Sequence, residues 1–253
     1  MISNKDTYGM NAHLGGFVHL NGIQMYYESY GKGEPLLLIH GTGQSINAFR
    51  FQIPYFEKYF KVIVMDCRGR GLSTDTNEEL TYTLQASDIK KLMDALHISS
   101  AHVVGWSDGG IIGVIMAINY PEKVQKLVAM GSNIHPEGLF PERLASHKAE
   151  YKRLKAKKDP ENTTVIKLYK LLAYYPKLSF EDLNVIKSPT LIMAGDHDVI
   201  QDQHTVQMFQ AIPNAHLAIL PGQTHMMPTA NPDLFNTSVL AFMQNEFVKP
   251  KRY

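Results

Sequence analysis

The sequence is poor in cysteine: its 253 residues include only Cys67, which excludes an intrachain disulfide and a metal cluster held by cysteines. It also lacks any stretch of about 20 continuous apolar residues, the length that a membrane-spanning helix requires. Neither sign of charge dominates, since 25 lysines and arginines stand against 24 acidic residues. We therefore expect neither nucleic acid nor a membrane as a partner. Residues 1–16 lack the apolar core of a secretory signal, so we expect a cytoplasmic protein, with a mature secreted form as the alternative.

The sequence does contain a serine in an informative setting, Gly105-Trp106-Ser107-Asp108-Gly109-Gly110. The apolar run 102–104 precedes this segment and the apolar run 111–117 follows it, which predicts a strand, a tight turn and a helix. At such a turn the serine is held in a strained backbone conformation with its hydroxyl exposed at the carboxyl edge of the sheet. Ser107 is therefore the candidate nucleophile.

A serine hydroxyl is a weak nucleophile at neutral pH, so it needs a histidine to accept its proton and a carboxylate to orient that histidine. Two later segments supply such residues after apolar runs: one carries Asp196 and Asp198, and the other ends in His225. The chain between them is long enough for one helix and one strand. Asp198 lies further from the expected strand end, from where its side chain can reach the histidine, whereas Asp196 is interpreted as a turn residue that binds nearby amides.

Two glycine-containing stretches extend the pattern. Residues 40–45, His-Gly-Thr-Gly-Gln-Ser, follow the apolar run 36–39, and their glycines allow the backbone to approach a substrate carbonyl. Residues 66–73, Asp-Cys-Arg-Gly-Arg-Gly-Leu-Ser, resemble the D-x-R-G-x-G-x-S turn that many α/β-hydrolases carry after their fourth strand. With these motifs in chain order, the sequence from about Phe17 to Phe247 resembles an α/β-hydrolase. The sequence of the turn around Ser107, residues 105–110, is most similar to that of the valacyclovir hydrolase, or biphenyl hydrolase-like, group.

The resemblance implies a catalytic triad in the order nucleophile, acid, histidine, which assigns the roles to Ser107, Asp198 and His225. The family pattern G-x-x-D also selects Asp198 over Asp196. His40 is then interpreted as a packed loop histidine, because the catalytic histidine of this order comes last in the chain.

The resemblance further implies an oxyanion hole made of two backbone amides. We expect these to be the amides of Asp108 and Thr42, with Gly43 as the alternative to Thr42. In the valacyclovir hydrolase-like group the aspartate after the nucleophile contacts the substrate's α-amino group, so the Asp108 side chain is a candidate specificity residue. The alternative for this side chain is a solvated or capping carboxylate at a helix start, where negative charge is favoured.

Strands that alternate with helices predict the fold. Asn21-Gly22 separates the strand patterns 16–20 and 23–30, which predicts an antiparallel hairpin. Further strands are expected near residues 36–39, 62–65, 101–105, 124–130, 190–194 and 216–220, and helices near 80–96, 108–119 and 199–210. We expect an α/β protein of the α/β-hydrolase fold, with a mostly parallel eight-stranded sheet, an N-terminal antiparallel hairpin, helices on both faces and a small helical cap.

The cap is expected at residues 132–187, which contain no convincing strand but have helical patterns at 141–157 and 161–174. The core domain would then comprise residues 14–131 and 188–250, after a disordered leader at residues 1–13. The basic run from His147 to Lys158 is interpreted as a solvated helix face. The candidate substrate-binding residues are Asp108, Gly41, Trp106, Met130, Ile134 and Tyr174.

These observations together predict a serine hydrolase that cleaves a small carboxylic ester through an acyl-enzyme. If Asp108 binds a substrate amine, as the resemblance implies, the substrate is an α-amino acid ester. Its partners would be the small-molecule ester and water, and no cofactor or metal is needed. One alternative is another reaction on the same triad, such as carbon–carbon bond hydrolysis or perhydrolysis. Another is a ligand-binding, receptor-like protein with negligible turnover. The oligomeric state is left open.

Overall fold

The centre of the protein is one eight-stranded sheet, seen in a computed structural model that describes residues 8–157, 159 and 163–250. Its strands are β1 (Gly15–Leu20), β2 (Ile23–Tyr30), β3 (Pro35–Ile39), β4 (Lys61–Met65), β5 (Ala101–Trp106), β6 (Val124–Met130), β7 (Thr190–His197) and β8 (Ala215–Thr224). Their spatial order is β1-β2-β4-β3-β5-β6-β7-β8. The β1–β2 and β2–β4 pairs are antiparallel, and all other neighbours in the sheet are parallel. The predicted sheet with its N-terminal hairpin is therefore confirmed.

Helices cover both faces of this sheet. They are α1 (Ile53–Phe56), α2 (Tyr82–Ala95), α3 (Asp108–Asn119), α4 (Pro141–Lys157), α5 (Thr163–Tyr174), α6 (Asp202–Ala211), α7 (Met227–Ala230) and α8 (Pro232–Gln244). Apolar side chains of α2, α3 and α6 pack on one face, and those of α1 and α8 pack on the other. None of the described helices has the length and hydropathy needed to cross a bilayer.

The central strands are almost continuously apolar because both of their faces are buried. In β3, Leu37 and Ile39 belong to the core under α2 and α3, whereas Leu36 and Leu38 belong to the core under α1 and α8. This alternation is the period of two that strands impose. Because β3, β5, β6, β7 and β8 are parallel neighbours, their carboxyl ends lie at one edge of the sheet, where loops can meet.

The prediction of a disordered leader at residues 1–13 does not hold for residues 8–13, which the structure describes. Residues 1–7 lie outside the described residues, but Tyr8 is buried, and the amides of Gly9 and Asn11 donate to the carboxylate of Glu28 at 2.9 Å and 2.6 Å. Glu28 is buried in β2, and a buried carboxylate needs hydrogen-bond donors. The segment before β1 supplies two of these donors, and the hydroxyls of Tyr26 and Tyr30 supply two more, so residues 9–11 are tied to β2 through Glu28.

Residues 132–187 leave the sheet between β6 and β7. Their described part contains α4, α5 and two short 3-10 helices, Pro136–Gly138 and Glu181–Val185. Helix α4 has the predicted bounds, and α5 begins at Thr163, whereas the predicted start at Glu161 lies outside the described residues. The two helices pack on each other and lie beside the sheet edge at which the loops meet.

Candidate active site

Ser107 lies in the turn between β5 and α3, with backbone angles φ +58° and ψ −121°. Few residues other than glycine adopt a positive φ, so this conformation is strained and needs support from its surroundings. The amide of Ser107 donates to the carbonyl of Met130 at 2.8 Å. A Cβ on Gly109 would lie 1.9 Å from the carbonyl oxygen of Ile39, so only glycine permits this approach of α3 to β3. The turn therefore presents the Ser107 hydroxyl at the sheet edge.

His225 and Asp198 meet at the same edge, although 27 positions separate them in the chain. His225 follows β8 and Asp198 follows β7, and Nδ1 of the histidine lies 2.7 Å from Oδ1 of the aspartate. A proton on Nδ1 donated to this buried carboxylate leaves Nε2 with its lone pair free to accept another proton. Ser107 and His225 line the same cavity, and among the described residues the Ser107 hydroxyl makes no hydrogen bond.

Asp196 has a different environment from Asp198. It lies within β7, which extends three residues beyond its predicted end, and not in a turn. Its Oδ1 lies 2.8 Å from Nδ1 of the exposed His197 and also accepts the amide of Gln223 at 3.2 Å. The β7–β8 pairing continues past a register shift between Gly195 and His197, and among the described residues the one imidazole that Asp196 contacts is that of His197.

Two residues determine the position of His225: one binds its backbone and the other leaves space for its ring. Trp106 Nε1 donates to the carbonyl of His225 at 2.8 Å. Gly131, with φ +57°, leaves the space that the pair occupies: a Cβ there would lie 2.7 Å from Nδ1 of His225 and 3.0 Å from Oδ2 of Asp198. Sequence reasoning missed Gly131. Its only sequence signal is a glycine directly after β6, at the carboxyl end of a strand beside the nucleophile strand.

The loop after β3 lies against the serine. A Cβ on Gly41 would come within 3.0 Å of the Ser107 Cβ, which brings the loop backbone next to the nucleophile. The Gly41 amide donates to Oε1 of Gln44 at 2.9 Å and is therefore occupied. The amides of Thr42, Gly43 and Asp108 have no hydrogen-bond acceptor among the described residues. These three remain available to an oxyanion.

His40, at the start of this loop, is a buried structural residue. Its Nε2 accepts the amide of Cys67 at 3.0 Å, and its Nδ1 lies 2.8 Å from the carbonyl of Gly41. Burial lowers the pKa of His40 to about 3, so the ring is neutral at physiological pH. Cys67 is also buried, and burial raises the pKa of its thiol to about 11. Neither group is an exposed base or nucleophile.

The Asp108 side chain is 1% exposed and lies under the same loop. It accepts the hydroxyl of Tyr82 at 2.9 Å and, on its other oxygen, the hydroxyl of Thr42. Burial raises the pKa of the Asp108 carboxyl, and the hydrogen bond from Thr42 opposes this rise. Tyr82, on α2, is a site residue that sequence reasoning missed, because nothing in an amphipathic helix start signals a contact 26 residues away.

A cavity of about 870 Å³ lies over the sheet edge, and its floor is lined by residues 41–44, Tyr82, Trp106, Ser107, Asp108 and His225. Residues of α4 and α5 lie opposite the floor, including His147, Leu168 and Tyr169. The size suits a small organic molecule, since ligand sites of this kind span about 300–1,000 Å³. Among the described residues no group of three or more His, Cys, Asp or Glu side chains is arranged to hold a metal ion.

Comparison with known proteins gives the family. A model of the alpha/beta hydrolase fold matches residues 34–165, just over half of the 253 residues. The chain belongs to the α/β-hydrolase fold family. It is 28% identical to the serine hydrolase BPHL of Mus musculus, an alignment that covers 90% of this chain and 85% of that protein. It is 26% identical to a 2-hydroxy-6-oxononadienedioate/2-hydroxy-6-oxononatrienedioate hydrolase of Comamonas testosteroni, which covers 89% of this chain and 93% of that protein.

A solved structure agrees on the fold. The alpha/beta hydrolase enzyme MGS-M2, from a Medee basin deep-sea metagenome library, superposes with a TM-score of 0.82, covers 94% of this chain and 100% of its own, and shares 20% identity. At this identity the likeness concerns the fold alone.

Of the residues predicted to bind substrate, Gly41, Trp106 and Asp108 line this cavity, whereas Met130, Ile134 and Tyr174 do not. Met130 and Ile134 are buried in the cores on the two faces of the sheet, one on each. Tyr174 ends α5 with its ring against Tyr151, at a centroid distance of 5.5 Å.

The prediction that the basic run on α4 is a solvated helix face holds only in part, because His147 is buried and both His147 and Arg153 line the cavity. Arg153 donates to both carboxylate oxygens of Glu150, with its Nε at 2.7 Å. Lys158, the end of the predicted run, lies outside the described residues. The helical period explains the difference, since one side of α4 faces α5 and the other faces solvent.

Proposed function

We propose that this α/β-hydrolase is a serine hydrolase that cleaves a small carboxylic ester through an acyl-enzyme. The observation that carries the proposal is the 2.7 Å contact between His225 and the buried Asp198, beside a serine held at φ +58° on the floor of one cavity. A purely structural role would require neither a buried carboxylate on that imidazole nor strain at the serine.

The reaction follows from the roles of these groups. Ser107 Oγ attacks the ester carbonyl while Nε2 of His225 accepts the hydroxyl proton, and Asp198 stabilises the imidazolium that forms. The amides of Thr42 and Asp108 donate to the oxyanion. The C–O bond then breaks, and the departing alcohol takes the proton from His225. Water repeats the sequence on the acyl-enzyme, which releases the carboxylic acid and restores Ser107.

Residues 132–187 act in this proposal as a cap over a core formed by residues 14–131 and 188–250. Support comes from the cavity, whose floor belongs to loops of the sheet and whose opposite wall belongs to α4 and α5. Such a cover excludes water from the reacting carbonyl and shapes the acyl pocket.

The carbon–carbon bond alternative rests on one observation, the similarity to the Comamonas testosteroni hydrolase. The same triad can serve either reaction, because fold and triad do not determine the substrate. Two kinds of substrate separate the reactions. Ester hydrolysis releases p-nitrophenol from p-nitrophenyl esters of short acids, whereas carbon–carbon bond hydrolysis splits a vinylogous 1,5-diketone acid into two smaller acids.

The test is the turnover of p-nitrophenyl acetate and butyrate by the parent protein and by Ser107→Ala. We expect turnover by the parent and a loss of at least about 10⁴-fold in the variant, since triad members act as a unit. Far-ultraviolet circular dichroism and the thermal midpoint check that the variant stays folded. Equal turnover by both proteins would refute the role of Ser107.

A further inference from the structure

The carboxylate of Asp108 is enclosed by protein. Its two oxygens accept hydroxyl groups from two different elements: Tyr82 at the start of α2 and Thr42 in the loop after β3. It accepts no amide of its own helix α3 among the described residues, so it is not a helix cap, and at 1% exposure it is not a solvated carboxylate. A different function must explain this arrangement.

The tip of the loop that Asp108 contacts, residues 42–43, has few other attachments among the described residues, although the loop is anchored at its start by His40. Within the loop, the Gly41 amide and carbonyl both bond to Gln44, which closes a local turn. In the part of the chain that the structure describes, the Thr42 hydroxyl makes the one hydrogen bond from residues 42–43 to another segment. Gly43 is exposed, and a Cβ there would have no neighbour within 4 Å. The position of the Thr42 amide therefore depends on the Thr42 side chain.

We propose that Asp108 is a positioning residue for the oxyanion hole: its carboxylate, oriented by Tyr82, binds the Thr42 hydroxyl and so fixes the Thr42 amide relative to the Asp108 amide. The inference rests on the proposed function, in which these two amides are the oxyanion donors. One side-chain hydrogen bond then joins the two residues whose backbones must act together.

Pre-organisation explains why such a bond matters. An oxyanion donor acts only when it is about 2.7–3.1 Å from the developing charge, and removal of one donor costs about 10²–10³ in kcat. A donor amide whose position is no longer fixed still contributes part of this factor, so we expect a loss smaller than for removal of the donor. The ground-state carbonyl depends less on these amides, so the loss belongs to kcat more than to KM.

The first test compares Thr42→Val with Thr42→Ser on p-nitrophenyl butyrate. Valine keeps the shape and the backbone amide but removes the hydroxyl, and we expect kcat to fall about tenfold or more with KM changed less than about threefold. Serine restores the hydroxyl and recovers most of the loss. The inhibition constant of phenylboronic acid, whose tetrahedral adduct puts an oxygen in the oxyanion hole, rises in Thr42→Val by a factor similar to the fall in kcat. The thermal midpoint stays near that of the parent.

The second test separates positioning from recognition of a substrate amine by Asp108. Phenylalanine p-nitrophenyl ester and 3-phenylpropionate p-nitrophenyl ester differ only in the α-amino group. Positioning predicts that Asp108→Ala slows both esters by the same factor, and that adding Thr42→Val to Asp108→Ala costs little more, because both changes break one contact. A loss confined to the amino ester, or losses that multiply in the double variant, would overturn the inference.

The two proposals fail differently. If a fluorophosphonate probe does not label Ser107 in the parent, the proposed function fails and this inference fails with it. If Ser107 is labelled but Thr42→Val matches the parent in kcat and in boronic acid inhibition, only the positioning role of Asp108 fails.

Discussion

Substitution of Gly131 by alanine tests whether the space beside the His225–Asp198 pair controls activity. The added Cβ would lie 2.7 Å from Nδ1 and 2.9 Å from Cε1 of His225, distances that require the ring to move by several tenths of an ångström. A misplacement of about 1 Å can cost about 10²-fold in rate, so we expect kcat/KM for an aryl ester to fall about 30- to 100-fold. The backbone at φ +57° adds a strain of about 1–2 kcal/mol, or about 2–8 °C in the thermal midpoint.

Gly22→Ala is the matched control, since it has the strain without the contact. Gly22 has φ +74° in the β1–β2 turn, and a Cβ there would lie 3.4 Å from Cγ2 of Thr76, an ordinary contact. We expect a similar loss in thermal midpoint and unchanged kcat/KM. Steady-state kinetics and differential scanning fluorimetry on both variants decide the matter. The reasoning is refuted if Gly131→Ala keeps full activity, or if the two variants lose activity equally.

Two further predictions follow from buried groups. Asp198→Asn preserves the shape of the acid but removes the charge that orients His225, so kcat should fall about 10⁴-fold with the fold intact, and a loss below about tenfold would contradict the triad. Burial lowers the pKa of His204 to about 4, so between this pH and about 6.5 the unfolded chain binds a proton that the folded protein does not. The free energy of unfolding should therefore fall as pH decreases from about 6.5 to 4. His204→Gln keeps an acceptor for the Ile134 amide and should reduce the slope of unfolding free energy against pH by up to about 1.4 kcal/mol per pH unit. Urea unfolding at three pH values measures the slope, and equal slopes for parent and variant would exclude His204 as its source.

The sheet was predictable because its information is local. Alternating or continuous apolar runs mark each strand, and Asn21-Gly22 marks the hairpin, so the predicted bounds differ from the observed ones by a few residues at most. The segments that carry Ser107, Asp198 and His225 were predictable for the same reason, since each follows a strand and the carboxyl ends of parallel strands share one edge.

The surroundings of the site were not predictable, because they depend on side-chain direction and on distant contacts. Met130 ends the strand beside the nucleophile strand and Ile134 follows soon after it, but the two side chains are buried in the two cores. Tyr82 reaches Asp108 only after α2 has packed beside α3. Gly9 and Asn11 are bound by a buried glutamate of β2, Glu28, which no local pattern near the N-terminus reveals.

The most direct measurement of the central claim is the reaction of the protein with a fluorophosphonate probe, followed by intact mass and peptide mapping. The account predicts one adduct per chain, located on Ser107, with a rate that falls strongly in His225→Ala because the serine then lacks its base. A chain that stays unmodified, an adduct on another residue, or labelling of Ser107 at an unchanged rate without His225 would contradict it.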